Sequence, residues 1–273
     1  MLVDFTKMHG LGNDFIVIDA ITQKIKLNNN FIKQIANRNT GIGCDQILLL
    51  EPPINPLSDY YYKIYNSDGT TAEQCLNGAR CTARFALDSG LVNKKTIIAD
   101  CTAGKVTFNI EDNQLISVNL GIINSTINNF SLKSKTTNVF YTIYYLSIGN
   151  PHAIVILPDE ISNEYPEIEH EYYRLLAEDI AKHELFPLGI NVGFVKIINL
   201  NNIKLRVFER GTGETLACGS NAVAAFLVTK YLNLITNHAN ILFKLGILEI
   251  KLENNCIITT GPANSVFIGK FKI

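Results

Sequence analysis

Apolar positions in this chain fall into short runs, and the same succession of runs occurs twice. A Gly-Asn corner enters an apolar strand in GNDFIVI at Gly12 to Ile18, and again in GNPHAIVI at Gly149 to Ile156. Next come KIYN at Lys63 to Asn66 and RVFE at Arg206 to Glu209, each a short alternating strand that ends on a polar residue before a glycine-containing turn. A cysteine follows nine positions after Asn66 and nine after Glu209. Small residues then recur at helical spacing: Ala79, Ala83 and Ala86 after Cys75, and Ala222, Ala225 and Phe226 after Cys218. The first of these stretches stops at Gly90, as helices do. Finally, GKVTFNIEDNQLISV from Gly104 and GILEIKLENNCIITT from Gly246 each read as a hairpin, with Glu111 and Glu253 seven residues past their glycine.

Four matches in one order imply a duplicated unit of strand, helix, strand, strand, cysteine helix and hairpin. The boundary between copies is expected near Gly121 to Ser134. The polar segment from Asn124 to Asn138 reads as a crossing loop. A length of 273 residues suits two cores of this size.

In both copies the cysteine falls at a predicted helix N-terminus. Unpaired backbone N–H groups and the positive end of the helix dipole favour a thiolate there, and the same N–H groups attract a carboxylate. Two such ends around one carboxylate, in a pseudo-twofold arrangement, would set a thiol on each side of the attached carbon. That arrangement suits proton removal from one face and return to the other, with fixed N–H donors stabilising the charge that develops toward the carboxylate.

Composition narrows the alternatives. Apolar residues make up 47% and charged residues 18%, and the formal net charge is −1, so the basic excess of a nucleic-acid binder is missing. No basic segment followed by a long apolar run opens the chain, and no uninterrupted apolar stretch approaches the roughly 18 residues of a membrane span; a cytoplasmic protein is expected. In that compartment the 6 cysteines are expected as free thiols, with Cys44, Cys81, Cys101 and Cys256 serving as small buried hydrophobes. Neither CxxC nor HExxH occurs and the 5 histidines are scattered, so no metal site is expected.

With these residues in place, the sequence resembles the diaminopimelate epimerase family. The likeness runs from KMHGLGNDF at Lys7 to Phe15 through to GPANSVFIGK near the C-terminus, which is essentially the whole chain. Its most specific strings are NSDGTTAEQCLNGARC at Asn66 to Cys81 and ERGTGETLACGSNA at Glu209 to Ala222, joined by GIGCDQILLLEPP, GNPHA and GINVGFV. The resemblance implies interconversion of LL- and meso-diaminopimelate without a cofactor, in lysine and peptidoglycan-precursor synthesis. It makes Cys75 and Cys218 the two acid/bases, and His152 and Glu209 groups that position or tune the thiols. It gives substrate-binding roles to the side chains of Asn13, Gln46, Asn66, Asn150, Asn191, Glu209 and Arg210, and to the backbone N–H groups of Leu76, Asn77, Gly219 and Ser220. Arg210 would bind the distant carboxylate of the substrate in a bidentate way, and Glu209 would meet its ammonium. One departure stands out, since the family usually reads CGNGAR where this chain has CLNGAR; a helical φ at Leu76 would make the change harmless.

The implied fold is α+β, with two pseudo-symmetric domains, each a curved and mostly antiparallel sheet wrapped around its cysteine helix. The expected domains are 1–121 with about 263–273, and 122–262. Their active site would lie in the cleft between them, and a homodimer is expected; the only partner implied besides a second copy is the small-molecule substrate, with neither nucleic acid nor membrane. The nearest rival is a racemase or epimerase of another amino acid, such as proline or hydroxyproline. More distant rivals are a thiol redox or hydrolytic enzyme using Cys75 with Cys81 or His152, and an inactive amino acid binding protein.

Overall fold

The structure is a computed structural model that describes residues 2–135, 138–158 and 167–272. By its contacts the chain divides into two units, one of residues up to Asn119 together with the stretch from Thr260 onward, the other of Leu120–Thr259.

The first unit opens with the hairpin of β1 (Leu2–Gly10) and β2 (Asn13–Asp19), turned at Leu11 and Gly12, both with positive φ. Helix α1 (Asn29–Ala36) then crosses to β3 (Gln46–Glu51), which lies parallel to β2, and β4 (Tyr60–Asn66) returns antiparallel to β3. A short β5 (Thr71–Ala72) folds back on β4. Helix α2 (Leu76–Asp88) makes a second crossover to β6 (Thr96–Cys101), parallel to β4. Two antiparallel turns add β7 (Gly104–Ile110) and β8 (Ile116–Asn119), and on the far side β18 (Asn264–Lys272) pairs antiparallel with β1.

The second unit repeats this plan. Strands β9 (Asn128–Lys133), β10 (Phe140–Ser147) and β11 (Pro151–Ile156) run antiparallel in turn, and α3 (Tyr172–Ala181) lies in the chain between β11 and its parallel neighbour β12 (Asn191–Asn199). Antiparallel β13 (Asn202–Glu209) and β14 (Gly213–Thr215) follow, then α4 (Gly219–Tyr231) crosses to β15 (His238–Phe243), parallel to β13. Next come β16 (Gly246–Glu253), antiparallel to β15, and β17 (Cys256–Gly261). The architecture is therefore the expected α+β duplication, a curved, mostly antiparallel sheet and a cysteine helix in each copy.

Each sheet is covered on both faces, which explains why β2 and β11 read as unbroken apolar runs rather than alternating ones. In the first unit Ile16 and Ile18 join Ile32, Ile35 and Ala36 of α1 in one cluster. The opposite face receives α2: at Gly78 an added Cβ would lie 3.2 Å from Phe15 and 3.1 Å from Leu48. In the second unit Ala153 and Val155 pack with Tyr173, Leu176 and Ile180 of α3. Helices α2 and α4 are buried on almost every side, so their small alanines let them sit close on their sheets.

One expectation fails. The Asn124 to Asn138 segment is not simply a loop, because its residues 128–133 form β9; residues 136 and 137 lie outside the described residues. Phe130 and Leu132 pack on the core of the second unit, and β9 holds beside β10 the place that β18 holds beside β1. The asparagines around it hide a strand in which only Phe130 and Leu132 are partly buried.

Candidate active site

The sheet register places the site residues of each unit together. In the first unit Phe15 is opposite Gln46, and Gln46 is opposite Asn66. In the second unit His152 is opposite Asn191, and the pairing of Val192 with Phe208 sets Asn191 against Glu209 one step further on. Asn13 and Asn150 hold the same place just ahead of these strand residues, while Cys75 and Cys218 cap the helices that follow. The candidate residues of each copy therefore gather at one end of its own sheet, beside the first turn of its own helix.

Both cysteines take the extended backbone conformation of an N-cap, with φ −149° and ψ 111° at Cys75 and φ −128° and ψ 117° at Cys218. Cys75 Sγ accepts a bond from the Gly78 backbone N–H at 3.4 Å and, as a thiol, donates to Asn13 Oδ1 at 3.5 Å. Asn13 is held in turn by Asp45, which accepts from its Nδ2 at 2.8 Å. Arg38 bridges Asp45 and Asp14, and Lys7 pairs with Asp14 at 2.5 Å. Burial works to raise the Asp14 carboxyl, but its bonds to Arg38 and Lys7 outweigh it and hold the group well below the usual carboxylate range. Gln46 donates from Nε2 to Asn66 Oδ1 at 2.9 Å, and its buried Oε1 has no hydrogen-bond partner among the described residues. Leu76 is buried, starts α2, and is not among the residues of positive φ, so a side chain is accommodated where the family usually has glycine.

Around Cys218 the chemistry differs. Its Sγ lies 3.4 Å from Ser220 Oγ. Burial and then the nearby Glu209 carboxylate push this thiol well up, so at neutral pH it is protonated. Glu209 Oε1 accepts from Thr215 at 2.6 Å. His152 is fully buried, and burial lowers its pKa to about 4, leaving the ring neutral. Both ring nitrogens are engaged: Nε2 with Asn150 Oδ1 at 2.8 Å, and Nδ1 with Asn221 Nδ2 at 3.2 Å. The Asn221 amide donates to Nδ1, so the hydrogen of the neutral ring sits on Nε2 and is donated to Asn150. His152 thus acts on its surroundings through two asparagines. A Cβ at Gly193 would fall 2.2 Å from Asn221 Oδ1, so this glycine makes room for the amide. Asn191 donates from Nδ2 to the Pro151 carbonyl and accepts from the Arg210 backbone N–H, each at 3.0 Å, which fixes the turn carrying Arg210. The exposed Arg210 guanidinium makes one long bond, 3.5 Å, to the Leu188 carbonyl.

All 6 cysteines are free. Among the described residues no group of three or more His, Cys, Asp or Glu side chains is placed to hold a metal ion, and no helix is long and apolar enough to cross a membrane. Sequence reasoning missed Asn221, Thr215, Arg80 and the Lys7–Asp14–Arg38–Asp45 cluster. Asn221 lay within the string GSNA after Cys218, and Asp14 directly after Asn13, but nothing local marked either as a partner.

This doubled fold occurs in solved structures of racemases, epimerases and their relatives. A PhzF-family phenazine biosynthesis protein from Bacillus anthracis aligns with a TM-score of 0.73 at 14% identity over 100% of both chains. A hydroxyproline epimerase from Agrobacterium vitis aligns at 0.71 and 13% identity, over 99% of this chain and 91% of the other. A probable proline racemase from Agrobacterium radiobacter aligns at 0.69 and 15%, over 99% and 93%. At such identities the likeness is one of fold. The family pattern described as diaminopimelate epimerase matches residues 5–125 and 144–266. The chain belongs to the diaminopimelate epimerase family, and its class of reaction is isomerisation.

Proposed function

We propose that the protein interconverts LL- and meso-diaminopimelate by moving the α-proton with two cysteines and no cofactor, as a cytoplasmic step of lysine and peptidoglycan-precursor synthesis. The observation that carries this reading is the placement of Cys75 and Cys218 at equivalent N-caps, each at the first turn of a buried helix. In one direction a thiolate takes the α-hydrogen as a proton, leaving its electron pair on the carbon. The opposite thiol then gives that carbon a proton on the other face, and the two sulfurs end with exchanged protonation states. Helix N–H groups, from Leu76 and Asn77 and from Gly219 and Ser220, hold the α-carboxylate and stabilise the charge that develops on it.

Recognition of the second amino acid centre falls to Glu209 and Arg210. The Arg210 guanidinium is exposed and lightly engaged, which suits a bidentate bond to a carboxylate. Asn13, Gln46, Asn66, Asn150 and Asn191 supply neutral polar groups, and the unpartnered Gln46 Oε1 is a ready acceptor for an ammonium. Proline and hydroxyproline, named for two proteins of this fold, lack a second charged end that could engage Arg210 and Glu209.

The test is incubation of the reduced protein with LL-diaminopimelate in heavy water, following α-deuteration and formation of the meso isomer. Exchange with epimerisation is expected, and Cys75→Ala and Cys218→Ala should each lower epimerisation by about a thousandfold or more. Exchange with proline or another amino acid instead would overturn the substrate; no exchange over a broad panel would overturn the chemistry.

A further inference from the structure

The two cysteine turns differ in what lies beneath them. Five residues after Cys75, α2 carries Arg80; five after Cys218, α4 carries Val223. Both side chains are fully buried. Helical side chains lean toward the N-terminus, and Arg80 does so: its Nη2 donates to Asn77 Oδ1 at 2.5 Å, while Nε donates to the Pro262 carbonyl at 3.3 Å. The guanidinium therefore lies alongside the first turn of α2, the turn that Cys75 caps.

No carboxylate balances this charge. Among the described residues the bonds of Arg80 go only to uncharged oxygens, and its buried Nη1 has no hydrogen-bond partner. Burial brings its pKa down to about 10, which still leaves it a cation at neutral pH. The titratable groups acting on it are the thiols of Cys75 and Cys81. Cys81 is itself fully buried and pushed well up, so it stays a neutral thiol. Tyr62 of β4, which also faces Cys75, is likewise kept neutral by burial. A buried cation facing only carbonyl oxygens and thiols is an unfavourable arrangement that ionisation of one of those thiols relieves. Of these groups, Cys75 is the one in the helix cap.

We infer that Arg80 is a positioning residue: its buried guanidinium is the counter-charge of a Cys75 thiolate, and by gripping Asn77 it fixes the N–H groups on which the thiolate and the substrate carboxylate rest. Among the described residues no such cation acts on Cys218, which sits beside a carboxylate. The Arg80 cation therefore favours ionisation at Cys75, while burial and the Glu209 carboxylate keep the proton on Cys218. The consequence for turnover rests on the two-thiol reading above, whereas the charge assignment is read without substrate.

The experiment is alkylation of the reduced, substrate-free protein with iodoacetamide from pH 5.5 to 10, with the Cys75 and Cys218 peptides quantified separately by mass spectrometry. The expected midpoint for Cys75 is at least about one pH unit below that for Cys218. Arg80→Met should raise the Cys75 midpoint by about one unit or more, cutting its alkylation at pH 7 roughly tenfold, and leave Cys218 where it was. Arg80→Lys should restore the low midpoint, because it keeps the charge. Should Arg80→Met not fold, Arg80→Gln removes the charge while keeping a donor. A wild-type Cys75 midpoint equal to or above that of Cys218 overturns the inference, as does an unchanged Cys75 profile in a folded, uncharged variant. Absence of α-proton exchange in the wild-type protein would instead overturn the two-thiol reading and leave this result standing.

Discussion

The N-terminal turns of α2 and α4 share a backbone and differ in electrostatics. Both begin on a cysteine in extended conformation, both run for 13 residues, and both lie between a strand and its parallel partner. Beside Cys75 stands the neutral amide of Asn13, with a buried cation along the same helix turn. Around Cys218 stand a carboxylate, a hydroxyl, and behind them a neutral imidazole held by two asparagines. The two copies share a frame and differ in the side chains at matching positions. A reaction that needs one base and one acid at the same moment is served by such a pair and not by two identical turns.

The comparison breaks most visibly at Glu209. Glu209→Gln removes the charge that helps to keep Cys218 protonated and the proposed partner of the substrate ammonium. Epimerisation should fall by about a hundredfold or more, and the alkylation midpoint of Cys218 should move to lower pH. An unchanged midpoint would show that burial alone holds that proton.

A second test concerns His152, whose counterpart in the first unit is the apolar Phe15. Its pKa falls from 6.5 in an exposed histidine to about 4 when buried, so protonation opposes folding. The stability it protects is present above pH 6.5 and lost as the pH falls toward 4, by about 3 kcal/mol. Urea unfolding across that window should show the loss in the wild-type protein and little of it in His152→Asn. If both proteins lose the same amount, the buried imidazole is not the acid-sensitive group.

The smallest effect is expected at Leu76. Leu76→Gly restores the usual residue of the family and should lower stability by about 2 kcal/mol, through lost burial and a more flexible helix start. Activity should stay within about threefold. A large gain in substrate affinity would mean that leucine obstructs the cysteine turn.

Much of this was legible in the chain because it depends on local pattern. The Gly-Asn corners, the strands ending at Asn66 and Glu209, and the helices after both cysteines each leave a signal within a dozen residues. The N-cap position of the cysteines followed from the same signals. What remained hidden depends on partners far apart in sequence. Arg80 looks like one more polar residue of a helix until β18 and the Pro262 carbonyl close over it. The orientation of Asn13 depends on Asp45, 32 residues away, and on an Arg38 that no motif includes in the site. Strand β9 was masked by composition, since its asparagines outweigh the Phe130 and Leu132 that pack, partly buried, against the core.

Gly193 has a consequence for how this sequence can change. Its missing side chain leaves the space in which Asn221 reaches His152, and even a methyl group there would overlap that amide. Positions 193 and 221 are therefore mutationally interlocked. A lineage that gains alanine at 193 must first shrink or redirect the residue at 221, giving up the imidazole contact on the way, so the order of the two substitutions decides whether the path is open.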